Sequence, residues 1–197
     1  MKQIEVTTRV KQSLNDVSKI LEKQGFSKIR TSRIEDIYMT QFNKELSKNN
    51  IIETLKKSVL IRYLCVNKSE TFKKLTYKNK IYKDDMVISE EKINVNIDDI
   101  KNAEKLLMAL GFEKLVEVKY DVIVFKKDNI EFAFQDVENL GLLLEYENEN
   151  DFSGLSEEKV IEEKNKMLEE IKKYNIMVTD EFDVKKAYEL ITKELGE

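Results

Sequence analysis

Histidine is missing from all 197 residues, cysteine occurs once and glycine five times. The first absence removes Ser-His-Asp and Cys-His catalysis and leaves carboxylates, lysines, tyrosines and bound metal for acid, base or electrophilic work. The lone Cys65 cannot close an internal disulfide, and with no histidine beside it a zinc site is not expected. Gly25, Gly111, Gly141, Gly154 and Gly196 lie too far apart to build a P-loop or a dinucleotide turn, so a phosphate site here needs side-chain cations. Long apolar runs are absent as well. The longest are of the Gly141-Leu142-Leu143-Leu144 kind, which excludes a membrane helix. Lys2, Glu5 and Arg9 stand where a signal peptide needs an apolar stretch, so the expected location is cytoplasmic. Nor is there an excess of positive charge. The formal net charge is −4 with both signs interspersed, which argues against a nucleic-acid partner.

What is present suits one folded unit. A hydrophobic share of 41% in a chain of this length supports a single core, so one domain over residues 1–197 is expected. Ile4, Val6, Thr8 and Val10 alternate with Gln3, Glu5, Thr7 and Arg9, the period of a strand with one apolar and one polar face. Leu14, Val17, Ile20 and Leu21 then recur at helical spacing, ended by Gly25 as a left-handed cap. Extended segments fit near 27–38, 56–66, 71–79, 86–97, 114–126, 129–136 and 142–148, and further helices fit 98–110, 157–173 and 184–195.

An internal regularity ties these elements together. Lys19 to Lys28 recurs as Lys105 to Lys114, an offset of 86 residues that brings Gly25 onto Gly111 and Phe26 onto Phe112. At the same offset Leu14, Val17, Ile20 and Leu21 meet Ile100, Ala103, Leu106 and Leu107, so the apolar stripe of both helices matches too. The reading is an α+β fold: an eight-stranded antiparallel β-barrel with covering helices and a pseudo-twofold repeat, its halves about 1–97 and 98–197. Closure into a barrel would remove strand edges and turn alternate side chains inward.

Several strands carry charge on one face and apolar residues on the other. Glu5, Thr7 and Arg9 share a side, as do Lys74, Thr76 and Lys78, and Glu145 and Glu147. Either these faces meet water or, with helices covering the apolar sides, they line an enclosed channel. A channel of both signs suits a polyphosphate: Arg and Lys neutralise phosphate oxygens, while carboxylates hold a hard divalent cation.

Specific motifs strengthen the channel reading. Glu5-Val6-Thr7-Thr8-Arg9 is similar to Glu-x-Glu-x-Lys, Asp36-Ile37-Tyr38-Met39 to Asp-x-Tyr-Phe, Leu60-Ile61-Arg62 to Leu-Arg-Ile-Arg and Leu75-Thr76-Tyr77-Lys78 to Leu-Thr-Tyr-Lys. The run from Gln135 to Glu147 resembles Asp-x-Val-Glu-Gly-Leu-Gly-x-Phe-x-Glu-x-Glu, and Ala187-Tyr188-Glu189-Leu190 resembles Ser-Tyr-x-x-Leu. These are motifs of the CYTH family, the triphosphate-tunnel proteins that include class IV adenylyl cyclases and thiamine triphosphatases, and the resemblance covers nearly the whole chain.

The resemblance implies a tunnel that binds a triphosphate or nucleoside triphosphate with Mg²⁺ or Mn²⁺. It makes Arg9, Arg62 and Lys78 phosphate-binding, Lys74 is expected to bind phosphate beside Lys78 on the same strand face, and the resemblance makes Glu5, Glu145 and Glu147 metal ligands. It further implies a triphosphate-containing small molecule as partner and leaves a homodimer open. Three activities follow from it: a triphosphate phosphohydrolase, a class IV adenylyl cyclase, and an anion-binding protein without turnover. The departures are Thr7 for the second glutamate, Leu60 for an arginine, Gln135 for an aspartate, Asn94 and Asn96 for acidic residues, and Tyr120 and Val122 for basic ones. Lys185 or Lys186 is a further cation within reach of the tunnel mouth.

Overall fold

In the computed structural model, residues 4–41, 45–56, 58–83, 86–148 and 156–196 are described, with the side chains of 78–91 and 157 outside that description. The elements run β1 (Ile4–Arg9), α1 (Leu14–Lys23), β2 (Ser27–Thr40), α2 (Ile51–Lys56), β3 (Val59–Val66), β4 (Glu70–Lys83) and β5 (Met86–Asn96). There follow α3 (Ile100–Ala109), β6 (Glu113–Lys127), β7 (Ile130–Val137), β8 (Gly141–Asn148), α4 (Glu157–Lys173) and α5 (Lys186–Glu194).

The sequence repeat is a structural repeat. Ser13 caps α1 by accepting from the Asp16 amide at 3.1 Å, and Asp99, at the same offset, caps α3 by accepting from the Asn102 amide at 3.0 Å. Both helices stop at a left-handed glycine, Gly25 at φ +87° and Gly111 at φ +84°, before strands β2 and β6 begin. Val17 and Leu21 of α1 are buried, and so are their equivalents Ala103 and Leu107 of α3.

All eight strands form one antiparallel sheet in the order β1-β8-β7-β6-β2-β3-β4-β5. Read from either edge the order is equivalent, β1-β8-β7-β6 matching β5-β4-β3-β2, with the pseudo-twofold axis between β6 and β2. That equivalence makes β5 the counterpart of β1.

Among the described residues no ladder joins the edge strands β1 and β5, so the sheet is strongly curled but not closed by hydrogen bonds. The reason is that a strap of residues 177–184 takes the outer edge of β1. Lys11 N donates to Met177 O at 2.8 Å, Thr179 N to Arg9 O at 3.0 Å, Thr7 N to Phe182 O at 3.2 Å and Val184 N to Thr7 O at 3.0 Å. Main-chain groups that barrel closure would use are already paired.

Alternation sorts the side chains onto two faces. On the convex side Ile4, Val6, Phe132, Phe134 and Leu144 pack with Leu21 of α1 and Val160, Leu168 and Ile171 of α4. Fully burying one such Phe contributes about 1.5–3 kcal/mol. The α3 helix sits on the same side, its Leu107 against Met39 and Ile61. The concave side holds a different arrangement from outer cover alone. Ala187, Leu190 and Ile191 of α5 and Ile51 of α2 pack against Val118, Tyr120 and Val122 of β6. Two helices therefore occupy the hollow of the sheet, which explains why the inner face of β6 is apolar.

Candidate functional site

What the helices leave unfilled in that hollow is a cavity of about 420 Å³. Both edge strands reach it, β1 through Glu5 and Thr7 and β5 through Lys92, which is the direct sign of the curl. Between them β8 adds Glu145, β7 Gln135, β2 Asp36 and β3 Arg62, and α5 brings in Lys185 and Lys186. Register explains the grouping. Glu5 lies opposite Glu147 and Thr7 opposite Glu145, while Asp36 lies opposite Arg62, and residues directly opposite in an antiparallel pair share a face.

Two ionic clusters organise the wall. Arg62 donates from Nε to Oδ1 of Asp36 and from Nη2 to Oδ2, each at 2.6 Å, with Asp36 only 2% exposed. Burial opposes the charge on Arg62, but the hydrogen bonds and charge of Asp36 prevail and its pKa is raised. Tyr120 Oη accepts from Arg62 Nη2 at 3.5 Å, and burial, joined by the charge of Asp36, lifts the phenol well above its ordinary value.

The second cluster centres on Gln135, which is 4% exposed. Its Nε2 donates to Oε2 of Glu145 at 2.8 Å and its Oε1 accepts from Lys186 Nζ. Lys186 Nζ also stands 3.8 Å from Glu145 Oε2 and 4.7 Å from the centre of the Tyr120 ring. The cation thus contacts an amide oxygen, a carboxylate and an aromatic face at once. Lys185 pairs with Asp183 at 3.1 Å instead.

Of the residues expected from the sequence, Glu5, Arg62 and Glu145 are brought into this cavity. Lys74 lies opposite Arg62 and Glu147 opposite Glu5, on the correct face but outside the lining. Arg9 is directed elsewhere, with Nε donating to Glu181 at 3.1 Å and Nη2 to Glu189 of α5. Lys78 pairs with Lys92 in the backbone register, and its side chain lies outside the described residues. Sequence reasoning left open which of Lys185 and Lys186 enters, and both do. It gave no site role to Asp36 or Tyr120; the signal available was the Asp-x-Tyr motif at Asp36 and the even spacing of Val118, Tyr120 and Val122 along β6.

A divalent cation makes its own demand on this donor set. Among the described residues no three carboxylates converge into a ready-made metal cage. Mg²⁺ does not require one, because it is usually held by one or two carboxylates together with waters and substrate phosphate oxygens. Glu5 and Glu145 both open into the cavity and fit that demand, with Glu147 beside them on β8.

No family model matches the chain. A candidate adenylate cyclase of Methanocaldococcus jannaschii, MJ0240, is 32% identical over 178 residues, spanning 88% of this chain and 90% of that protein. Among solved structures the chain is similar to PH1819 of Pyrococcus horikoshii, with a TM-score of 0.69 at 20% identity over 98% of this chain and 99% of that one. It is also similar to HpAC1 of Hippeastrum, a candidate adenylyl cyclase with a dominant triphosphatase activity, with a TM-score of 0.61 at 12% identity over 98% and 96% of the two chains. The chain belongs to the CYTH family of adenylate-cyclase-like triphosphate-tunnel proteins. No helix among the described residues is long and apolar enough to cross a membrane.

Proposed function

We propose that the protein binds a triphosphate-containing small molecule together with Mg²⁺ or Mn²⁺ in the hollow of the sheet and hydrolyses it. One observation carries this reading: cations and carboxylates from β1, β3, β8 and α5 line the same cavity. Phosphate oxygens need fixed positive charge, and a cavity partly closed to water makes each charge more effective than it is on an open surface. Lys186 supplies a point charge at the β7–β8 wall. Arg62 supplies its remaining edge from the β3 wall, its orientation fixed by Asp36. Gln135 helps to fix Glu145, a residue of the cavity wall, by donating to its Oε2. Glu5 and Glu145 would hold the divalent cation, which when bound neutralises phosphate charge and favours departure of the leaving group.

The test is phosphate release from inorganic triphosphate, thiamine triphosphate and nucleoside triphosphates with Mg²⁺ or Mn²⁺, with cyclic AMP and ADP followed in the same samples. Release that Glu145→Gln abolishes supports hydrolysis. Cyclic AMP with pyrophosphate replaces it with the cyclase chemistry. A second reading, binding without turnover, is favoured by one observation, the commitment of two Arg62 nitrogens to Asp36. Calorimetric triphosphate binding without any product would establish it in place of hydrolysis.

A further inference from the structure

Among the described residues every carboxylate that lines the cavity is already engaged within the wall. Asp36 accepts from Arg62, Asp183 pairs with Lys185 at 3.1 Å, and Glu5 accepts from Thr7 Oγ1 at 3.0 Å. Glu145 differs, because its neighbouring cation does not bond to it directly. Lys186 Nζ stands 3.8 Å from Glu145 Oε2, beyond the roughly 2.7–2.9 Å of a hydrogen-bonded ammonium–carboxylate pair, and the Gln135 amide bridges the two. An amide suits this bridge where a charged group would not. Its Nε2 donates to the carboxylate while its Oε1 accepts from the ammonium, whereas an ionised carboxylate in its place could not donate and an ammonium could not accept. Register accounts for its position. Gln135 lies opposite Val122 of β6 and Leu143 of β8, so it is the polar member of an otherwise apolar row of the wall, only 4% exposed and with both ends of its amide satisfied.

Such a bridge holds opposite charges side by side without letting them collapse into one tight pair. Lys186 keeps its charge for an anion, and Glu145 keeps its charge for a cation. A divalent cation arriving alone meets the ammonium of Lys186 beside its ligand and finds Oε2 of Glu145 already accepting from the amide. Nor is there a cluster of three acidic ligands among the described residues to outweigh that repulsion. A polyphosphate changes both terms, because its oxygens neutralise Lys186 and supply the ligands that Glu5 and Glu145 leave open. We propose that Gln135 is a positioning residue that makes divalent-cation binding conditional on the polyphosphate, by keeping Lys186 and Glu145 adjacent but apart. The two ligands then bind cooperatively, each raising the affinity for the other by the same factor. The inference rests on the triphosphate reading above and adds to it the dependence of one component on the other.

The experiment uses Mn²⁺ and diimidotriphosphate, an analogue of inorganic triphosphate whose P–N–P bridges resist hydrolysis. Calorimetry gives the affinity for the metal-free analogue and for its Mn²⁺ complex, and the paramagnetic resonance signal of free Mn²⁺ reports binding of the metal alone. Both are measured in the full chain and in Gln135→Glu and Gln135→Met variants. The wild-type chain is expected to bind the Mn²⁺ complex at least about tenfold more tightly than the metal-free analogue, within the usual range of such couplings. Mn²⁺ alone should leave the free-ion signal unchanged. Gln135→Glu sets a carboxylate against Lys186 and beside Glu145, so Mn²⁺ alone should now bind while the metal-free analogue loses roughly tenfold or more. Gln135→Met is uncharged and of similar volume, and it should weaken both forms of the analogue without any binding of Mn²⁺ alone. A purely structural role for Gln135 produces no gain in either variant. Equal affinity of the wild-type chain for the two forms of the analogue overturns the proposal, whether or not a variant folds, and leaves the triphosphate reading standing. A folded Gln135→Glu chain with no gain in Mn²⁺ binding also overturns the proposal alone. Failure of the wild-type chain to bind the analogue in either form overturns the triphosphate reading and this inference with it.

Discussion

Arg62 and Asp36 meet as a two-pronged pair, Nε on Oδ1 and Nη2 on Oδ2, both at 2.6 Å, across neighbouring strands β2 and β3. Removing one partner leaves the other without compensation. Asp36→Asn is therefore expected to destabilise the fold by about 3 kcal/mol, the low end for breaking a buried pair because Arg62 keeps some access to solvent. Urea unfolding followed by circular dichroism measures it. A loss within experimental error of zero would show that the pair contributes nothing to the fold.

Lys186 and Lys185 adjoin in sequence but differ in surroundings. The first engages Gln135, Glu145 and the Tyr120 ring, while the second is bound to Asp183 at 3.1 Å. Lys186→Ala should weaken triphosphate binding roughly tenfold to a hundredfold, the range for a charge-assisted hydrogen bond. Lys185→Ala should weaken it less. The reverse order in calorimetric titrations would assign the principal cation to Lys185.

Alkaline stability should report on Tyr120. Its phenol is raised well above the ordinary value, first by burial and then by the charge of Asp36. The unfolded chain therefore releases this proton at lower pH than the folded one does. The associated stability is complete below the unfolded pKa of about 10 and declines as pH rises beyond it. Tyr120→Phe should flatten that decline in urea midpoints measured across the alkaline range. An unchanged slope would count against Tyr120 as its source.

Gly25 and Gly111 provide a test of the repeat by energetics. Both have positive φ, and a Cβ at Gly111 meets nothing within 4 Å while one at Gly25 meets only Lys127 Cε at 3.8 Å. Only the backbone resists substitution at either position. Gly25→Ala and Gly111→Ala should each cost about 1–2 kcal/mol, the same within error. Clearly unequal losses in chemical denaturation would mean that the two caps carry different loads.

Periodicity disclosed the helices, the strands and the repeat because each depends on local spacing, and offset 86 already joined residues that occupy equivalent places. The face of each strand was equally legible, since alternation assigns Glu5 and Glu145 to one side without further information. What spacing does not encode is which side of a sheet a helix covers. The stripe of α5 reads the same whether Leu190 and Ile191 pack outside or within the hollow, and in fact they pack within. Six residues of α2 are too few for a periodic signal. Arg9, which the resemblance makes phosphate-binding, pairs with Glu181 and Glu189, 172 and 180 residues away and beyond the reach of any local pattern.

The strap along β1 also constrains the order of events during synthesis. Among the described residues β1 pairs with β8 and with residues 177–184, all of which are translated long after it. Its hydrogen bonds must wait for partners far along the chain, and such long-range closure is slow. Strand β1 is thus secured late, and residues 177–184 are its fastening.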